Sequence, residues 1–201
     1  MLIAIKRKIN MLNFLTNGEG EILNLFFKDP DREYYFRELA RNLGKEPAYF
    51  QNPLNNLVKG GVLVDKRKGN LRFFKLNRNY PLYEELKKII SKTIGIEAQL
   101  KKMIDSLAGV EYAFIFGSIA KNKEYSESDI DLMLIGRVNQ DDLIVKINKL
   151  EDELSREINY HIYSKNEVIR KIKDKSHFLT SIFNEPKIIL KGNLDEFTRI
   201  N

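Results

Sequence analysis

The sequence predicts an α+β protein of two folded units joined by a helix, and three observations carry that expectation. Residues 20–59 place apolar side chains at helical spacing and lead into two short alternating segments, which reads as a few helices closed by a hairpin. Residues 112–190 alternate apolar runs with amphipathic stretches, which reads as a mixed sheet with helices packed on it. The charge divides the same way: residues 1–80 hold 15 Lys or Arg against 8 Asp or Glu, whereas the remainder holds 19 against 20. The expected boundaries are 1–80, a linker helix over 81–107, and 108–201.

At 201 residues and 43% hydrophobic content the chain can bury a core in each unit. It has no cysteine, which excludes disulfides, cysteine-ligated zinc and thiol catalysis. No apolar run approaches the ~20 residues of a membrane span, and "MLIAIKRKINMLNFL" lacks the charge-then-apolar order of a secretory signal. A cytoplasmic location without a membrane partner is expected. The basic excess confined to the first 80 residues points to a polyanion there and to a different task for the rest.

In the N-terminal unit, Ile22, Leu23, Leu25 and Phe26 share a helical face that Asp29-Pro30 ends. A short helix fits Phe36 to Leu43, with Gly44 as its stop. A third runs from about Pro47 to Lys59, ended by Gly60-Gly61, with a kink or late start expected at Pro53. Val62 to Lys66 and Leu71 to Leu76 then alternate around "RKGN", a turn signal. Between Lys59 and Arg78 stand seven basic residues (Lys59, Lys66, Arg67, Lys68, Arg72, Lys75, Arg78) and one acid, Asp65. Such a cluster repels itself unless phosphates neutralise it.

Two helices, a turn, a candidate recognition helix and a basic hairpin over residues 18 to 78 resemble the winged helix-turn-helix family. The resemblance implies duplex DNA as a partner, with the helix from Pro47 offering Tyr49, Gln51, Asn52, Asn55 and Asn56 to base edges and Lys66, Arg67, Lys68 and Arg72 holding phosphates. The same five helix residues could equally form a solvated face, and the family also uses this fold for protein contacts and for homodimers. Pro81 to Leu107 opens with proline and acids at a helix start, and repeats Leu86, Ile89, Ile90, Ile94. It reads as a connecting helix with a possible break near Gly95.

The second unit turns on "YAFIFGSIAKNKEYSESDIDLMLIG", Tyr112 to Gly136. A strand breaks at Gly117-Ser118, ten residues follow, and a second strand carries Asp129 and Asp131 on one face. At about 5 Å and an effective dielectric of about 20, two such carboxylates repel by roughly 3 kcal/mol. A divalent cation between them reverses the sign. A helix from Gln140 to about Glu157, a strand Ile158 to Tyr163, helices Asn166 to Lys173 and Phe178 to Phe183, and a strand Lys187 to Leu190 complete the expectation. No G-x-x-x-x-G-K-[ST] loop competes for phosphate.

Gly-Ser at a strand end, ten residues and "SDIDL" resemble the signature of the polymerase-beta-type nucleotidyltransferase superfamily, close to its small members. That resemblance implies Mg²⁺ (or Mn²⁺) at Asp129 and Asp131 and a nucleoside triphosphate on Gly117 and Ser118, with Ser128 either tying the loop down or serving as an ordinary turn residue. Lys121 and Lys123 could approach the phosphates or remain solvated. It also implies a third carboxylate on an adjacent strand, yet "REINYHIYS" offers Asn159 there. His161, on the same face, could ligate metal or take a proton, or be a structural histidine; Glu127 and Glu157 are other substitutes. Taken whole, the chain resembles a prokaryotic family of fused winged helix-turn-helix nucleotidyltransferases. A nucleotidyltransferase with an unidentified acceptor is expected, with a nucleotide-sensing regulator and an antitoxin acting on a partner toxin as the other classes.

Overall fold

The computed structural model describes residues 18–121 and 128–198, and the chain divides into two compact units, 1–95 and 96–201. The segment expected as one linker over 81–107 is two helices, one in each unit. At Gly95 a Cβ would lie 2.8 Å from the Ser91 Cα, so only glycine fits where the first of them ends. Among the described residues no helix is long and apolar enough to cross a membrane.

The first unit runs α1 (Glu19–Lys28), β1 (Tyr34–Tyr35), α2 (Phe36–Asn42), α3 (Pro47–Lys59), β2 (Leu63–Lys68), β3 (Leu71–Leu76) and α4 (Tyr83–Thr93). Gly44, at φ 63°, ends α2 in a Schellman turn, with Gly44 N–H donating to the Arg41 carbonyl and Lys45 N–H to that of Ala40. Pro47 occupies the first turn of α3, where its missing N–H costs nothing. Pro53 lies inside α3 but neither kinks it into two elements nor delays its start, because only one internal hydrogen bond is forfeited. Gly69, at φ 59°, turns β2 into β3. The sheet order is β1-β3-β2, all antiparallel; β1, two residues long, has no counterpart in the sequence reading. Ile22, Phe26, Leu39, Phe50, Leu54, Phe74 and Ile90 fill one core beneath it, each worth about 1.5–3 kcal/mol of burial.

The second unit runs α5 (Ile96–Asp105), β4 (Val110–Phe116), α6 (Gly117–Ala120), β5 (Ile130–Gly136), α7 (Gln140–Leu154), β6 (Ile158–Tyr163), α8 (Lys165–Lys173), α9 (His177–Asn184), β7 (Ile188–Lys191) and α10 (Asp195–Thr198). Its sheet is mixed, in the order β6-β5-β4-β7, with only β5 and β6 parallel. Parallel neighbours need a crossover, and α7 supplies it. The helix begins where Asn139 accepts from the Asp141 and Asp142 N–H groups. Period-two alternation sends Ile130, Leu132 and Leu134 to one face, against α5 and α7. Met133 and Ile135 go to the other, where Phe114, Phe116, Val168, Leu179 and Phe183 pack. Asp131 continues this second series and emerges where the strand meets solvent. Asp129 stands one residue before β5 and outside its ladder, a shift of one position from the expected strand.

Candidate functional site

The site forms where β4 ends and β5 begins. Phe116 is paired with Asp131 across the two strands, so the next residue, Gly117, lies against the Asp131 side chain. At Gly117 φ is 73°, and a Cβ there would fall 2.0 Å from Asp131 Oδ2. Both the backbone conformation and the space therefore demand glycine. Burial pushes the Asp131 carboxyl above the ordinary carboxylate range, and the charge of Asp129 pushes the same way, while the His161 imidazole pulls it down. A carboxylate raised by burial and by a neighbouring carboxylate marks a pair short of positive charge.

The parallel register of β5 and β6 sets Asn159 beside Asp131 and His161 beside Met133. Asn159 Nδ2 donates to Asp129 Oδ2 at 3.2 Å. The position where the sequence expected a third carboxylate is thus inside the cluster, occupied by a neutral amide that already serves Asp129. His161 sits between two rings, its centroid 6.0 Å from that of Phe116 and 4.9 Å from that of Phe178. Phe178 is 39% exposed although it lies on α9, so an aromatic face borders the carboxylates and meets water. Gly117, Ser118, Ser128, Asp129, Asp131, Asn159 and His161 all belong to this one end of the sheet.

Lys121 differs from its expected role: its ammonium pairs with Glu185 at 2.7 Å, which holds the Glu185 carboxyl below its usual range. Glu157, exposed and one residue before β6, accepts the Ile130 N–H on its backbone carbonyl at the start of β5. Lys123 and Glu127 lie outside the described residues. Among the described residues no group of three or more His, Asp or Glu side chains could hold a metal. Asp129 and Asp131 offer the carboxylate oxygens that hard divalent ions prefer, and Asn159 adds no charge to them.

In the first unit, Ala48, Gln51, Asn52, Asn55 and Lys59 form an exposed stripe along α3 at helical spacing. Tyr49, also exposed, carries Lys45 over its ring at 4.5 Å. Asn56 donates to Glu19 on α1 and is turned away from the stripe. Phosphates are not needed to neutralise the whole hairpin, contrary to the expectation from its charge count. Glu33 pairs with both Lys66 and Lys68, and these bonds bring its carboxyl down to about 2. Arg72 spans Asp65, at 2.6 Å, and Asn55, at 2.9 Å, while Arg78 meets Asp31. The folded protein supplies its own counter-charges from residues distant in sequence, and Arg67 and Lys75 add charge beside them.

Residues 98–194 match the family described as Polymerase beta, Nucleotidyltransferase. These residues form a nucleotidyltransferase-type domain. Solved structures similar to this chain include three nucleotidyltransferase or toxin–antitoxin structures. One is a toxin–antitoxin complex crystallised with AMP-PNP, at 14% identity over 52% of this chain and 79% of that one, with a TM-score of 0.37. A second is a mutant of the toxin–antitoxin MntA-HpeT, at 12% identity, 52% and 79% coverage and a TM-score of 0.35. The third is a protein from Sulfolobus solfataricus described as a nucleotidyltransferase, at 19% identity, 47% and 74% coverage and a TM-score of 0.28. No curated protein matches the chain. Two neighbours of this cluster, Phe178 and Glu185, are not visible in the sequence as such, because a single Phe or Glu in a helical stretch carries no local signal of what it faces.

Proposed function

We propose that the C-terminal unit binds a nucleoside triphosphate with one Mg²⁺ or Mn²⁺ at Asp129 and Asp131 and transfers a nucleotide slowly to an acceptor hydroxyl. The observation that supports it most is Gly117, backed against Asp131 where any side chain would collide, beside a carboxylate pair short of positive charge. When bound, the metal would neutralise the carboxylates and the phosphate oxygens together. The residues do the rest. The open Gly117 backbone and the Ser118 hydroxyl donate to phosphate oxygens, and Ser128 leads the chain into Asp129. Asn159 fixes the rotamer of Asp129 through its 3.2 Å hydrogen bond but cannot accept the proton of an attacking hydroxyl. His161, close enough for its charge to act on Asp131, is the group assigned to take it.

The N-terminal unit, in this reading, is a winged helix that holds duplex DNA: α2 and α3 meet at the Gly44 turn, the polar stripe of α3 faces the major groove, and β2–β3 forms the wing. Asn55 is tied to Arg72, so helix and wing are held as one surface. Tyr49, Gln51, Asn52 and Asn55 then meet bases, and Lys66, Arg67, Lys68 and Arg72 meet phosphates. The neutral amide at position 159 favours a second reading, a DNA-bound regulator that senses nucleotide without turnover. Calorimetry with ATP and Mg²⁺ on the wild type and on Asp129→Asn/Asp131→Asn, followed by a transfer assay with labelled triphosphates, tests both. Metal-dependent binding lost in the variant supports the site; binding without transfer selects the regulator; equal binding by both proteins overturns the site.

A further inference from the structure

A depression of about 530 Å³ opens at the junction of α8 and α9, on the second unit. Lys173, Lys175, His177, Thr180, Ser181 and Asn184 line it together with Ile172, and among these described residues none is acidic. Thr180 Oγ1 is buried with no hydrogen-bond partner among the described residues. A buried hydroxyl left unsatisfied is costly in a folded protein, so its place in a basic cleft needs a reason.

The backbone gives an independent one. Helix α8 ends in a Schellman turn, with Lys175 N–H donating to the Ile172 carbonyl and Ser176 N–H to that of Lys171. The same turn ends α2 at Gly44 and α3 at Gly61, both glycines with φ of 63° and 74°. At α8 the left-handed position is held by Lys175, at φ 52°. A side chain there is strained where this chain twice uses glycine and once, at the end of α7, a small serine, Ser155 at φ 54°. What lysine adds over glycine is a cation at the rim of the cleft. Basic residues in the last turn of a helix also suit its dipole, which accounts for Lys171 and Lys173 but not for a lysine at the left-handed position.

We propose that this cleft is a second ligand site, distinct from the Asp129–Asp131 end of the sheet, that takes a phosphomonoester of mononucleotide size. Lys173, Lys175 and His177 meet the phosphate, and the Asn184 amide and the Ser181 hydroxyl, which lies 3.5 Å from Glu185 Oε1, face the remainder. The volume lies in the range of small-molecule sites and exceeds what a lone phosphate fills. Helix α9 connects the two sites: His177 lies in the cleft while the ring of its neighbour Phe178 packs at a tilt against that of His161, 4.9 Å between centroids.

The test uses the full chain carrying Asp129→Asn/Asp131→Asn, so that the site proposed for the triphosphate makes no contribution and its failure stays separable. AMP, inorganic phosphate and a 5′-phosphorylated oligonucleotide are titrated by calorimetry. Saturable binding of AMP, weakened at least tenfold by Lys173→Ala/Lys175→Ala, is expected. Lys175→Gly alone should weaken AMP severalfold while raising the melting temperature by a few degrees, since it relieves the strained position. That variant is expected to fold at least as readily as the wild type, so it decides the matter even if the double variant does not fold. AMP that fails to bind, binding of the oligonucleotide alone, affinity indifferent to both lysines, or a lower melting temperature in Lys175→Gly overturns the proposal.

Discussion

Asn159 donates its side-chain amide to Asp129 across 3.2 Å, from a strand paired in parallel with the one that carries Asp131. The bond needs a neutral donor on β6. An aspartate there would face Asp129 as a like charge, so the present residue stabilises the metal-free cluster at the expense of a group able to accept a proton.

Asn159→Asp should therefore exchange stability for chemistry. Without a divalent ion the variant should melt below the wild type, and Mg²⁺ should return more of its stability than it does for the wild type, because ligand binding to the folded state adds to stability. Any nucleotidyl transfer should rise, by at most the ~10² to 10⁴ that general-base help supplies. His161→Ala should lower transfer in the wild type and matter less in Asn159→Asp. Melting with and without Mg²⁺, alongside a transfer assay, checks the three statements; equal melting of both proteins under both conditions would show that position 159 is outside the charge cluster.

The Asp131 carboxyl predicts a pH effect of definite sign. Its folded pKa is raised, first by burial and then by Asp129, so between the ordinary carboxylate value and the raised one the folded state holds more proton than the unfolded. Stability falls as pH climbs through that window, and the penalty remains at neutral pH. Asp131→Asn removes it. The variant should melt above the wild type at pH 7 without metal, and the difference should close below the unfolded carboxylate pKa of ~3.9. A lower melting temperature at pH 7 would contradict the raised pKa.

Local chemistry made much of the fold legible. Gly44, Pro47 and Gly60-Gly61 punctuate α3 so strongly that its ends, Pro47 and Lys59, follow from the sequence. Ile158–Tyr163 is likewise a bounded apolar run that forms the strand it suggests. What was not legible depends on partners far along the chain. Tyr34–Tyr35 becomes a strand only because Phe73 and Phe74 pair with it. Glu33 neutralises Lys66 and Lys68 from more than thirty residues away, which no count of charges along the hairpin could foresee. At the site, Gly117 and the aspartates stood out through spacing. The hydrogen bond of Asn159 and the rings around His161 arise from register and packing, which spacing does not encode.

Glu33 makes the DNA reading testable in both directions. Its carboxyl, brought down to about 2 by the two lysines, is ionised at any working pH and competes with phosphate for them. Glu33→Gln should release Lys66 and Lys68, raise affinity for duplex DNA at low salt and steepen the dependence of log affinity on log salt by up to ~1.8, about 0.9 per added phosphate contact. Neutralising Lys66, Arg67 and Lys68 together should flatten it. Fluorescence anisotropy over a salt series reads both slopes, and a wild type with no salt-dependent binding would remove DNA as the partner.

Gly117→Ala separates the two reasons for glycine at the head of the site. One is conformational: φ of 73° costs a side-chain-bearing residue roughly 1–2 kcal/mol wherever it occurs. The other is local, the 2.0 Å approach of a Cβ to Asp131 Oδ2, which must push the carboxylate away from Asp129 and from any ion between them. The conformational cost persists when Asp131 is shortened, whereas the collision vanishes. In the wild-type background Gly117→Ala should lower stability by the sum and abolish metal-dependent nucleotide binding. In an Asp131→Ala background the same substitution should cost only the conformational part, so the cycle yields a coupling energy between positions 117 and 131. Denaturant melts of the four proteins supply that energy. A coupling near zero would mean that Asp131 swings aside freely, and Gly117→Ala should then leave nucleotide binding largely intact; a large coupling with binding lost ties the glycine to the carboxylate it faces.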